Sequence, residues 1–114
     1  MSDCIFCKIA EKKIPSKIVY EDDAVVAFED LSPQAPVHTL IIPKKHIATL
    51  QDAGDEDLAL FGRIVKAANE IAREKGIAER GFRLVANCGE ESGQSVFHIH
   101  FHLLGGRPMH WPPG

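Results

Sequence analysis

No apolar stretch of this 114-residue sequence is long enough to cross a bilayer. Its start, Met1-Ser2-Asp3-Cys4, lacks the basic region and apolar run of a secretory signal. No membrane partner is expected, and the cytoplasm is the expected location. There is no cationic surplus either. The formal net charge of −3 argues against a protein that blankets a nucleic-acid backbone with Lys and Arg, so nucleic acid is not an expected partner. A small phosphorylated ligand needs only a few local donors and stays open. Three cysteines cannot all pair within one chain, and an odd count suits a reducing compartment. Internal repeats, low-complexity tracts and linker-like shifts in composition are all missing. What remains is a length suited to one domain, 1–114, with one core, and 45% hydrophobic and 25% charged residues, as in ordinary globular domains.

The apolar pattern predicts an α+β fold. Cys4 to Ala10 reads as a short helical turn limited by Pro15. Lys17 to Tyr20 and Ala24 to Phe28 read as a hairpin around Glu21-Asp22-Asp23. Ser32-Pro33-Gln34-Ala35-Pro36 is a loop, and His38 to Ile42 a third strand closed by Pro43. Asp55 to Lys75 is the one strong helix: Leu58, Phe61, Ile64, Val65, Ala68, Ile71 and Ala72 recur at helical spacing, acidic residues open it and Gly76 ends it. Phe82 to Asn87 and Val96 to Leu104 read as strands four and five. A five-stranded antiparallel sheet with one long helix and short helices follows. One helix covers one sheet face, so the other needs short helices, a partner subunit or a ligand.

The densest chemistry lies in Val96-Phe97-His98-Ile99-His100-Phe101-His102-Leu103-Leu104. Alternation on a strand puts His98, His100 and His102 on one face and Phe97, Ile99, Phe101 and Leu103 on the other, with the imidazoles spread over roughly 13 Å. Adjacent rings resist joint protonation, so most are expected to be neutral near pH 7. Three readings compete: a polar sheet face, a catalytic zinc site and nucleophilic catalysis. The preceding Ser92-Gly93-Gln94-Ser95 favours the third, because free backbone N–H groups and hydroxyls form an anion-binding concavity. Taken alone, that loop is also an ordinary glycine-containing turn. Cys88 reads as a small apolar filler.

His98-Ile99-His100-Phe101-His102-Leu103-Leu104 matches the His-φ-His-φ-His-φ-φ pattern of histidine-triad (HIT) proteins. Ser32-Pro33-Gln34-Ala35-Pro36, Ile42-Pro43-Lys44-Lys45-His46, Gly93-Gln94-Ser95 and His110-Trp111-Pro112-Pro113-Gly114 resemble the Hint branch of that family, in its bacterial or organellar form. The resemblance covers essentially the whole chain.

The resemblance implies a hydrolase of purine nucleoside phosphoramidates and acyl-nucleotides. His100 would be the nucleophile, forming a covalent nucleotidyl-imidazole that water cleaves. His38 and His102 would line the α-phosphate with His98 beside them. Ser95 and backbone amides, with Gly93 and Gln94 in the loop, would stabilise phosphoryl oxygens or the leaving amine. Asn87 would bond ribose or phosphate. Ile5, Phe6, Phe28 and Leu31 would form the base pocket and Asp30 would bind the ribose hydroxyls. Without the resemblance, the four apolar residues read as core. Trp111 would reach across a twofold homodimer, its sheets paired through strands and the long helix. No cofactor is required for this catalysis. Other HIT branches hydrolyse dinucleoside polyphosphates or transfer nucleotidyl groups, against which the Trp111-Pro112-Pro113-Gly114 tail speaks; a nucleotide-binding regulator uses the same residues.

Cys4 and Cys7 have the spacing of half a zinc site, and without a second C-x-x-C their partners must be histidines. The resemblance implies His46 and His98, giving a closed structural Cys2His2 site away from the reaction centre. A redox role is disfavoured because the thioredoxin-type strand-to-helix setting is missing.

Overall fold

The computed structural model describes residues 3–114. The elements are α1 (Ile5–Ala10), β1 (Ile18–Glu21), β2 (Val25–Glu29), β3 (Val37–Pro43), α2 (Leu58–Glu74), β4 (Phe82–Ala86) and β5 (Phe101–Gly105), with three short 3₁₀ turns. The five strands form one antiparallel sheet, as the α+β reading expects, and their order is β1-β2-β3-β5-β4.

Local chemistry explains the boundaries. Asp22 makes the β1–β2 turn: its Oδ1 accepts from the Ala24 and Val25 amides, both at 2.8 Å. The long helix begins later than its acidic start suggests, because Asp55–Asp57 forms a 3₁₀ turn and Asp57 takes the Gly54 amide at 2.9 Å. It stops where Gly76, at φ 74°, turns the chain left-handed. The Gly76 and Ile77 amides then donate to the Arg73 and Ala72 carbonyls, at 3.2 and 2.9 Å.

Strand alternation divides the sheet into two faces. On one, Val25, Ala27, Ile41 and Leu103 pack against Ile64, Ala67, Ala68 and Ile71 of α2. Fully burying Ile64 or Ile71 stabilises the fold by about 2 kcal/mol each relative to exposure. Leu58 and Val65, expected in this stripe, are instead exposed at 61% and 46%. They sit on the flank of α2, since the stripe is narrower than the apolar spacing suggests. On the other face, Val26, Phe28, Leu40 and Ile42 are covered by Phe6 and Ile9 of α1. A six-residue helix covers only the β2–β3 half. The β5–β4 half, carrying His102, Arg83 and Val85, is left for the site, with His38 beside it at the start of β3.

The fifth strand corrects the sequence reading. Only Phe101–Gly105 pairs in the sheet, and residues 96–100 form bends and coil. Two features end the ladder. Pro43 of β3 has no N–H to give, and the His98 carbonyl, which a longer ladder would use, already accepts from the His100 ring at 2.8 Å. Phe97, expected on the apolar inner face, is consequently 49% exposed.

Candidate active site

The irregular approach to β5 still brings the histidines together. The His100 and His102 rings lie 5.1 Å apart, and those of His102 and His38 5.2 Å. Each neutral ring carries one N–H, and the partners decide which nitrogen holds it. A carbonyl only accepts, so His100 Nδ1 donates to the His98 oxygen and His100 Nε2 carries the free lone pair. The Gln34 amide donates to His38 Nδ1 at 3.0 Å, which leaves the proton on His38 Nε2. That N–H donates to His102 Nδ1 at 2.9 Å, with Asp30 Oδ2 3.4 Å away. His102 Nε2–H is then left to donate to a ligand. The site therefore presents one imidazole lone pair beside one imidazole donor.

Burial keeps His102 and His38 neutral. It lowers the His102 pKa to about 4, reinforced by His100 and His38 and opposed by Asp30. Burial also holds His38 below the usual histidine range, against the pull of Asp30.

Next to this row, Phe6 stacks edge-on against His100 at 5.1 Å and against Phe28 at 5.4 Å. It forms part of an apolar cavity of about 300 Å³ lined also by Ile5, Phe28, Leu31, Asp30 and Leu40. All five residues expected around a nucleoside line this one cavity, with Leu31 exposed at its rim. Leu40 escaped the sequence reading, although its alternation with His38 on β3 was a usable signal. Asn87 lines a second cavity with His38 and His102.

The loop before β5 works differently from its reading. Gln94 is buried, and its side chain bonds the Ala48 carbonyl at 2.8 Å, the Val96 carbonyl at 3.1 Å and the Gly89 amide at 2.8 Å. Its backbone N–H goes to the Gly89 carbonyl. All its donors are used inside the protein, so Gln94 braces the loop rather than meeting a ligand. Gly93, at φ 89°, provides the left-handed turn this brace requires. Ser95 is exposed. Trp111 is exposed at 82% and lies outside both cavities.

His98 points away from the row, which corrects its place on a shared strand face. Its Nε2 donates to the Pro43 carbonyl at 2.8 Å, so its Nδ1 is unprotonated. That nitrogen lies 3.3 Å from Cys4 Sγ, 3.5 Å from Cys7 Sγ and 3.2 Å from His46 Nδ1, and His46 Nδ1 lies 3.3 Å from Cys7 Sγ. A tetrahedral Cys2His2 zinc site has ligand-to-ligand edges of roughly 3.3–3.8 Å. The donor set fits a metal in spacing, in ligand type and in the carbonyl that fixes the His98 tautomer. Asp30, His38 and His102 also cluster, with ligand atoms within 4.8 Å. There the Gln34 amide puts the His38 proton on Nε2, where a metal needs a lone pair, so this group does not fit one. Gln34 and the Pro43 carbonyl act through backbone groups and have no sequence signal.

Residues 3–111 match the family described as Scavenger mRNA decapping enzyme C-term binding. An uncharacterized HIT-like protein of Synechocystis is 55% identical over 98% of this chain and 97% of its own length. The chain belongs to the histidine-triad family. Purine nucleoside phosphoramidase of Escherichia coli is 52% identical, covering 94% of this chain and 90% of that protein. The crystal structure of a HIT family hydrolase from Legionella pneumophila superposes on this HIT protein with a TM-score of 0.96 at 54% identity, covering 98% of this chain and all of that one.

Proposed function

We propose that this HIT protein is a single-domain hydrolase of purine nucleoside 5′-phosphoramidates and related acyl-nucleotides, working through a nucleotidyl-histidine. The observation that carries the reading is the bond from His100 Nδ1 to the His98 carbonyl, which leaves Nε2 unprotonated on a ring packed edge-on against Phe6, itself a wall of the apolar cavity. The base sits in that cavity against Phe6, Phe28 and Ile5, and Asp30 accepts from the ribose hydroxyls. His100 Nε2 attacks the α-phosphorus. The P–N bond breaks, its electron pair leaves on nitrogen, and the amine takes a proton from solvent. Water then adds to phosphorus and displaces His100, releasing the nucleoside monophosphate. His102 Nε2–H and Asn87 hold phosphate oxygens, and His38 fixes the His102 ring. Ser95 donates from the loop to the departing group.

The 52% identity to a purine nucleoside phosphoramidase supports this substrate class over the polyphosphates and nucleotidyl acceptors of other HIT branches. Cys4, Cys7, His46 and His98 would hold a structural zinc, which would supply a cross-link between α1 and the segment before β5 rather than chemistry at the row. A reducing cytoplasm suits these thiols. The protein works as a homodimer, a reading supported by the edge strand β4 and the exposed Leu58 and Val65 on α2. Trp111 then extends toward the partner's site.

The test is release of AMP from adenosine 5′-phosphoramidate in the presence of chelator. Wild-type protein turns over, and His100→Ala loses at least about 10³-fold while keeping its fold. Full activity in that variant would rule out the nucleophile.

A further inference from the structure

The second cavity, about 440 Å³, begins where the phosphate-handling residues end. His38, His102 and Asn87 line it on the side of the row, and Arg83, Arg107 and tail residues line much of the remainder. Its lining contains two guanidiniums and no carboxylate, in a chain whose net charge is −3. Among the described residues, neither Arg83 nor Arg107 has a carboxylate within salt-bridge distance, whereas Arg63 holds both Asp22 and Asp23.

The two arginines are placed differently. Arg107 is engaged at all three nitrogens, with the Gln34 carbonyl at 3.1 and 3.0 Å and the Pro108 carbonyl at 3.0 Å. It braces the segment whose amide orients His38. Arg83 makes one such bond, from Nη2 to the His110 carbonyl at 3.0 Å, leaving the rest of its fork for a ligand. Arg83 faces Leu104 across the β4–β5 ladder, and Val85 faces His102, so Arg83 is the diagonal neighbour of His102 on the same face. Such neighbours are on the order of 7–8 Å apart, a gap that an amino acid and an arginine side chain bridge together. The apolar cavity opens from the Phe6–His100 side of the row and this one from the His102–Asn87 side. With the nucleoside in the first, the group departing from phosphorus enters the second.

We propose that this second cavity is a leaving-group subsite for an amine carrying a carboxylate, an amino acid joined to phosphorus through its nitrogen, with Arg83 as the specificity-determining contact. The proposal rests on the phosphoramidase reading. The amine leaves with the P–N electron pair and gains a proton from solvent, while Arg83 holds its carboxylate.

Two adenosine phosphoramidates test it, one N-linked to glycine and one to glycinamide. The two amines differ in basicity, so the quantity read is the glycine-to-glycinamide ratio of kcat/KM in each protein. Arg83→Gln lowers that ratio about five- to tenfold, mainly through KM for the glycine substrate, and Arg83→Lys recovers most of it. In wild-type protein, added salt lowers the same ratio, a readout that needs no variant to fold. A ratio unchanged by both Arg83→Gln and salt, with both substrates turned over, overturns the subsite alone. No turnover of either substrate by wild-type protein instead sinks the phosphoramidase reading. A third substrate bearing aminomethylphosphonate separates the anions: Arg83 dependence there but not with glycine overturns the carboxylate assignment.

Discussion

At the residue scale, the site is a matter of which ring nitrogen holds a proton. Three backbone groups decide it: the His98 carbonyl for His100, the Gln34 amide for His38 and the Pro43 carbonyl for His98. The histidines were legible in the sequence as a cluster; their orienting partners were not, because a backbone amide or carbonyl looks the same at every position. His102 carries a measurable consequence. Its folded pKa of about 4 lies below the ordinary value of 6.5, so between those values the unfolded chain binds a proton that the folded one refuses. Stability from this group is therefore full above pH 6.5 and is lost as pH falls toward 4. The loss is on the order of 2 kcal/mol after allowing for solvent screening. Urea unfolding of wild-type protein at pH 7 and 4.5 measures it, and His102→Gln should flatten the difference. An equal drop in both proteins would show that other groups cause it.

At the element scale, α1 joins two sites. Ile5 and Phe6 line the apolar cavity, and Cys4 and Cys7 flank them in the metal cluster. The C-x-x-C and its spacing were readable from the chain, and so was the short helix. That Ile5 and Phe6 of the same turn wall a cavity came only with the family resemblance, because it depends on α1 docking over β2 and β3. Cys7→Ser should lower bound zinc from one equivalent toward zero and weaken AMP binding roughly tenfold by loosening Phe6. Metal content and AMP titration check the two separately. Zinc loss with AMP affinity unchanged would uncouple the helix from the cavity. The long helix was legible to within one turn, since its periodicity is strong and Gly76 marks its end. Its 3₁₀ opening was hidden because acidic residues favour both geometries.

At the scale of the whole molecule, the five strands and their antiparallel sheet follow from alternation and turn chemistry, whereas the placement of β5 between β3 and β4 does not, because alternation does not say which strands pair. The fifth strand was read too long, because alternation persists through His98 and His100 while hydrogen bonding stops at Phe101. The outward placement of Leu58 and Val65 was equally invisible, since an apolar residue one step off the core stripe keeps the same periodicity. That pair lies on the flank of α2 and gives the proposed dimer its prediction. If α2 lies in the proposed dimer interface, Val65→Asp places a charge in that contact and should shift the protein toward monomer in sedimentation at micromolar concentration. A variant that sediments like wild type would remove α2 from the interface.

The short reach of α1 also decides what the proposed covalent intermediate would meet. One half of the sheet face is roofed by Phe6 and Ile9, while His102 stands only half-buried beside a wide mouth. The cavity lined by His38, His102 and Asn87 gives water a route to the row once the first product has gone. An imidazole-bound nucleotide in such a place has the medium itself as its most abundant acceptor, so breakdown is favoured over handing the nucleotide to a second molecule.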